Sequence, residues 1–298
     1  MKLKIYIFKK QQLIWSAVVL AIIIVSAILF ITIRATQTFN FFNLPNSYKA
    51  DINNDGKIDT VIVKVDDLTK KYNINVVCSD ENGYKLEPDT VIKNFGYSTT
   101  KSPINVTFND INGDGNQEIF IQSSDSNGPI LHVFKYTSNN IEKIVSGRYF
   151  MYGVVKNPVD ETLMLVLCSE RNNKIQFSYL KSDSNNISAY LPKQSMNLGG
   201  SNLSSIVNYI EKKDVEAISM NLNQKMQSNL VKGNLIDGII KDVKFSNYDI
   251  PSECTYVLRT SSLNNNSEQL SKLEIKLALQ KYDSLNPIYS VTSIEKVK

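Results

Sequence analysis

The sequence predicts a single transmembrane helix, then an all-β repeat domain, then a C-terminal α+β domain with an antiparallel sheet. Three observations carry that prediction. An uninterrupted apolar run lies near the N-terminus, two closely similar acidic loops each lead into a β-branched strand, and the periodicity turns helical near residue 200. On this reading the 298 residues divide into a cytoplasmic tail (1–12), the span (13–33), a β-repeat domain (38–195), a linker (196–202) and the α+β domain (203–298).

The span comes first. Leu13 to Ile33 is a run of 21 uncharged, mostly apolar residues. As a helix it would be about 31 Å long, which matches a bilayer core. Small-x-small cleavage chemistry is missing before Arg34, so the run reads as an anchor rather than a signal peptide. Lys2, Lys4, Lys9 and Lys10 precede it and Arg34 alone follows closely, which predicts an N-terminus inside the cell membrane and residues 35–298 outside. Trp15, the single tryptophan, falls at an interfacial position. Apart from those four lysines, basic and acidic residues balance at 29 each. A neutral external part points away from nucleic acid or an anionic polymer as partner.

The two loops are Asp51-Ile-Asn-Asn-Asp-Gly-Lys-Ile-Asp59 and Asp110-Ile-Asn-Gly-Asp-Gly-Asn-Gln-Glu118, which start 59 residues apart. Each places oxygen side chains at positions 1, 3, 5 and 9 and glycine at position 6. A hard cation such as Ca²⁺ takes six to eight oxygens, and this spacing brings four side chains around one ion. Gly56 and Gly115 permit the sharp turn, and the carbonyls of Lys57 and Asn116 would add a fifth ligand. Position 12, which carries a bidentate carboxylate in a helix-loop-helix calcium hand, is Ile62 in one loop and Ile121 in the other. Instead each loop runs into a strand, Thr60–Val65 and Ile119–Gln122, apolar on both faces.

A calcium loop feeding a buried strand resembles the FG-GAP/VCBS repeat, the blade unit of integrin-α-like propellers. The resemblance implies calcium ligation by Asp51, Asn53, Asp55 and Asp59, and by Asp110, Asn112, Asp114 and Glu118. It also implies binding at the cell surface, to glycan or to another protein. Position 3 is Asn where the family often has Asp, and Glu118 is one methylene longer than the usual Asp. Further short apolar runs are Ile74–Cys78, Ile104–Phe108, Ile130–Tyr136, Leu163–Cys168 and Ile175–Leu180. A third, degenerate unit begins near Asn157-Pro-Val-Asp160 without the oxygen pattern. Three blade-like units are too few to close a ring, so the domain is expected to be partial and propeller-like.

Beyond the Gly/Ser/Asn-rich linker, Leu203, Ile206, Val207 and Ile210 recur at helical spacing. A second helix is expected from Asp214 as N-cap, carrying Ile218, Leu222 and Met226. Strands follow at Val243–Tyr248, Tyr256–Thr260, Lys272–Lys281 and Ile288–Val297. In the third, Leu273, Ile275, Leu277 and Leu279 alternate with polar residues. This element order is similar to the nuclear-transport-factor-2-like cone, which implies a scaffold or a pocket.

Cys78, Cys168 and Cys254 lie 90 and 86 residues apart with no C-x-x-C pair, which excludes a zinc site of the usual spacing. Small core residues or a Cys78–Cys168 disulfide both remain open. Catalytic motifs are poor. Ser98-Thr-Thr-Lys101, Ser178-Tyr-Leu-Lys181 and Ser293-Ile-Glu-Lys296 all match S-x-x-K without the companion motifs of serine acylases. His132, the only histidine, sits in an apolar strand and reads as structural. The chain is therefore expected to be a binding protein and not an enzyme. The alternatives are a structural subunit of an envelope complex or an envelope hydrolase with unrecognised carboxylates.

Overall fold

The computed structural model describes residues 46–298 apart from 81, 139, 184–185, 191–195, 212–221, 247–249, 265–266, 283–286 and 298. The chain divides into two compact units, Met1–Pro45 and Asn46–Lys298. The expected span 13–33 lies in the first, outside the described residues. Among the described residues no helix is long and apolar enough to cross a membrane.

The second unit begins with two four-stranded antiparallel meanders. The first is β1 (Ser47–Ala50), β2 (Asp59–Val65), β3 (Tyr72–Val77) and β4 (Gly83–Lys85). The second is β5 (Asn105–Asn109), β6 (Glu118–Asp125), β7 (Gly128–Thr137) and β8 (Asn140–Gly147). A third series follows as β9 (Met151–Lys156), β10 (Leu163–Arg171), β11 (Lys174–Asp183) and β12 (Asn186–Tyr190). In each series an irregular loop separates the first two strands, and the acidic loops occupy that place in the first and second.

Apolar residues on both faces of the second strand tie the series together. Ile119 and Ile121 of β6 enter a core shared with Val61, Val63, Ile74 and Val76 of the first meander. Phe120, on the opposite face, enters a core shared with Tyr152, Leu165 and Leu167 of β9 and β10. Alternation across the pleat thus lets one strand serve two cores. The second residue of each acidic loop plugs the same two cores, Ile52 the first and Ile111 the second, each essentially inaccessible to solvent. Burial of such a side chain stabilises by about 1.5–3 kcal/mol, so each loop is anchored by its own isoleucine before any ion is considered.

The remainder is α1 (Gly200–Ile210), the short α2 (Gln224–Asn229), and β13 (Asn234–Phe245), β14 (Pro251–Asn264), β15 (Ser267–Lys281) and β16 (Ile288–Val297). Leu203, Ile206, Val207 and Ile210 form the buried face of α1 and pack on the sheet. Asn223 caps α2 by accepting from Met226 N at 2.9 Å. The helix expected from Asp214 starts at residues outside the described set.

The structure corrects the expected fold class. A propeller-like domain followed by a separate α+β domain is not what forms. β9 pairs in parallel with β13 through Gly238↔Met151 and Ile239↔Tyr152, giving one eight-stranded sheet in the order β12-β11-β10-β9-β13-β14-β15-β16. None of the three sheets closes, so the described residues form neither a propeller nor a separate C-terminal sheet. The physical reason is close approach at Gly153, where a Cβ would lie 2.4 Å from Ile240 Cβ. Only glycine lets β13 come alongside β9 there. The buried amide of Gln122 secures the join, donating to Gly238 O at 2.9 Å. The chain between β12 and β13, which carries α1 and α2, consequently connects two halves of one sheet.

Candidate metal centre

Loop one folds its oxygens onto its own backbone. Asp51 accepts from Asp55 N at 3.1 Å and Gly56 N at 2.9 Å, and Asn53 Oδ1 accepts from the same Asp55 N at 3.3 Å. Asp55 accepts from Lys57 N at 2.8 Å. The side chains at positions 1, 3 and 5 are therefore all held by amides of one turn. Asp59, fully buried, spends both oxygens on amides, those of Ile52 at 2.8 Å and Ser79 at 2.9 Å. Ser79 also donates its hydroxyl to Asp55 Oδ2 at 2.7 Å. That bond, with the amide of Lys57, holds Asp55 below the usual carboxylate range.

Loop two repeats the pattern. Asp110 accepts from the amides of Asn112 (3.2 Å), Gly113 (2.6 Å) and Gly115 (2.9 Å). Asn112 Oδ1 accepts from Asp114 N at 3.1 Å and Asp114 Oδ1 from Asn116 N at 2.8 Å. Two differences set it apart. Lys135, on β7, donates to Asp114 Oδ2 at 2.9 Å. Partial burial works against ionisation of Asp114, yet Lys135, Asn112 and Asn116 together hold it below the usual range. Glu118 accepts from Ile111 N through Oε2 at 2.8 Å, while its Oε1 is buried with no hydrogen-bond partner. Burial, reinforced by Asp114 and Asp110, pushes Glu118 up to about 7 against the pull of the Ile111 amide.

Among the described residues, no three His, Cys, Asp or Glu side chains converge as a preformed cage. The expected donor set is mixed, however. Each loop counts one Asn oxygen and one backbone carbonyl among its ligands, and the structure shows Lys57 and Asn116 through their amides only. The chemistry of the set, all oxygen with three carboxylates per loop, fits a hard divalent cation. An orphaned buried carboxylate oxygen costs roughly 1–3 kcal/mol or more when charged, and Glu118 Oε1 is in that position. The residue types present therefore fit the ion, with the Lys135 ammonium on Asp114 in competition with it in loop two.

Sequence reasoning missed Ser79 and Lys135. Ser79 comes from the turn that follows β3 and Lys135 from β7, each delivered by the strand paired beyond the loop, and no local spacing announces it. It also missed that the loops touch. A Cβ on Gly115, whose φ is +86°, would lie 2.6 Å from Asn54 Nδ2, whereas one on Gly56, φ +79°, would meet nothing within 4 Å. Gly56→Ala should cost about 1 kcal/mol for the left-handed backbone alone, and Gly115→Ala distinctly more. Urea midpoints would check that order, and equal losses would mean the loops are independent.

The third unit carries no such constellation. Asp160 is paired with Lys181 at 2.6 Å, and Asn157 turns its oxygen onto Val159 N at 3.0 Å. All three cysteines are free and buried, Cys78 in the core of the first two meanders and Cys168 and Cys254 in that of the eight-stranded sheet. No Cys78–Cys168 disulfide forms. His132 is fully buried against Phe95, donates from Nε2 to Asn94 O at 3.2 Å and accepts from Ser146 at Nδ1 at 2.9 Å. Both ring nitrogens are engaged by the neutral form, and burial lowers its pKa to about 4.

A histidine held neutral contributes stability above its ordinary pKa near 6.5 that is lost as pH falls from there through about 4. The ceiling is about 3 kcal/mol at 1.36 kcal/mol per pH unit. His132→Gln should therefore flatten the fall in stability between about pH 7 and 4.5, measured by urea unfolding of both proteins. An unchanged acid slope would contradict the burial.

No family model matches the chain, and no curated protein matches it. One solved structure to which it is similar is an exotype rhamnogalacturonan lyase, YesX, at 13% identity and a TM-score of 0.31. The match covers 49% of this chain and 32% of that one. At that score the likeness bears on neither fold nor activity.

Proposed function

We propose that the chain is a calcium-stabilised binding module that engages a glycan or a protein partner and performs no catalysis of its own. The observation that supports calcium is the repeated loop with a buried acid beneath it, in particular Glu118, whose Oε1 has no partner among the described residues. Asp51, Asn53, Asp55 and Asp59 would hold one ion and Asp110, Asn112, Asp114 and Glu118 the other, with the carbonyls of Lys57 and Asn116 completing each set. The ion would supply positive charge to oxygens now held by amides, Ser79 and Lys135. The binding role rests on the FG-GAP/VCBS resemblance.

Calorimetric titration of the purified chain should show two sites at roughly 10⁻⁴–10⁻³ M, the range of rigid extracellular calcium modules. Asp55→Ala and Asp114→Ala should each remove one. Absence of heat up to ~10 mM, ten times the weaker limit, would overturn the assignment. Retention on polysaccharide beads or a protein partner in calcium but not in EDTA would separate a binding module from a structural subunit, whose partner would stay bound in EDTA.

A further inference from the structure

The geometry points to a second site, away from the loops: a cleft in the eight-stranded sheet that takes a small organic oxyanion with an apolar body. The cleft has a volume of about 390 Å³ and is lined by Ile236, Arg259, Leu270, Lys272, Lys296 and Val297, with Ser271 among them. That volume lies within the range of small-ligand sites.

Its wall chemistry is divided. Ile236, Leu270 and Val297 supply an apolar surface, and Leu270 is 54% exposed although it lines a concave face. Two cationic side chains, Arg259 and Lys272, supply the other part: they are register partners of each other and of Val297 on one face of the sheet, whereas Lys296 is the partner of Leu273 on the opposite face. Arg259 is held in place by the buried Asp237, to which its Nε donates at 2.5 Å and its Nη2 also donates, while Nη2 reaches Pro103 O at 3.1 Å. Its third nitrogen, Nη1, has no hydrogen-bond partner among the described residues. Lys272 enters no ion pair among the described residues. Asp237 offsets one of the two charges, leaving an excess of one among these side chains.

Complementarity then selects the occupant. A carboxylate, phosphate or sulfate would meet a guanidinium already oriented by its own carboxylate, and the exposed ammonium group of Lys272. The apolar wall would cover the rest of the ligand, which a free inorganic anion lacks. With Nε and Nη2 occupied, Arg259 offers one donor nitrogen, so recognition is by charge and a single directed bond rather than a bidentate fork.

The test uses the full chain and four probes: 4-phenylbutyrate, 4-phenylbutanol, phenyl phosphate and inorganic phosphate. Calorimetry at low salt should show 4-phenylbutyrate or phenyl phosphate binding at least about tenfold tighter than 4-phenylbutanol and inorganic phosphate, the factor a charge-assisted hydrogen bond supplies. The stronger of the two organic anions identifies carboxylate or phosphate as the head group. Lys272→Gln, at an exposed position of the cleft, should weaken that probe about tenfold and leave the urea midpoint unchanged. Equal binding of 4-phenylbutanol, equal binding of inorganic phosphate, or unaffected binding by Lys272→Gln would each overturn the proposal. None of the lining residues belongs to a calcium loop, so the titration should read the same in calcium and in EDTA whether or not the loops take the metal.

Discussion

Arg259→Met should destabilise the protein by about 3–5 kcal/mol, the loss measured when one partner of a buried ion pair is removed. Asp237 is 4% exposed at its side chain, and two Arg259 nitrogens hold its oxygens. Burial raises the Asp237 pKa even with the guanidinium beside it. Without Arg259 the acid must protonate or sit uncompensated in the sheet. The bond to Pro103 O, which ties the approach to β5 onto β14, goes as well. Natural domains hold roughly 5–15 kcal/mol in total, so the loss removes a large share. Chemical denaturation reads it directly. Asp237→Leu with Arg259→Met should recover most of it, since an apolar pair of similar volume leaves no buried charge. A loss under about 1 kcal/mol for the single variant would show the pair to be solvated in solution.

Calcium should stabilise by about 1.4–2.7 kcal/mol per site at ~10 mM, from mass action at 10 to 100 times the dissociation constant. Glu118→Gln tests where that gain arises. At about pH 8 in EDTA the variant should be more stable than the native chain by about 1–2 kcal/mol, because it removes a buried charge whose Oε1 is unpartnered. In calcium it should retain only the gain from loop one, where both Asp59 oxygens already have amide partners. The two changes have opposite sign, which a merely damaged fold cannot produce. A variant less stable in EDTA, or one that keeps the full calcium gain, would remove Glu118 from the site.

Local chemistry was legible in the sequence and its assembly was not. Ile288–Val297 is a strand over those same residues, and Leu203, Ile206, Val207 and Ile210 are the buried face of α1. Periodicity reports such one-element properties well. β13 starts at Asn234 where the expected strand starts at Val243, and its first half contains Asp237 and Gly238, residue types depleted in strands. Here the aspartate is neutralised by Arg259 and the glycine lies mid-strand beside Met151. A partner distant in sequence reversed the local signal, and the same strand joins two sheets expected to be separate. In the loops, the side chains at positions 1, 3 and 5 bond amides only two to five residues along their own turn. Ser79 and Lys135 stayed invisible because register between strands, not spacing, delivers them.

The parallel pairing of β9 with β13 also sets an order of events during synthesis. The first two meanders close through short-range antiparallel ladders and share a core of their own. β9 cannot acquire its second neighbour until β13 has left the ribosome, after β10 to β12 and both helices. Until then its inner residues, among them Met151 and Tyr152, which end almost completely enclosed, face an unfilled edge. Long-range parallel closure is slow and leaves strands open to wrong partners. A nascent chain halted before Asn234 would therefore carry a sticky, half-paired sheet behind two finished ones.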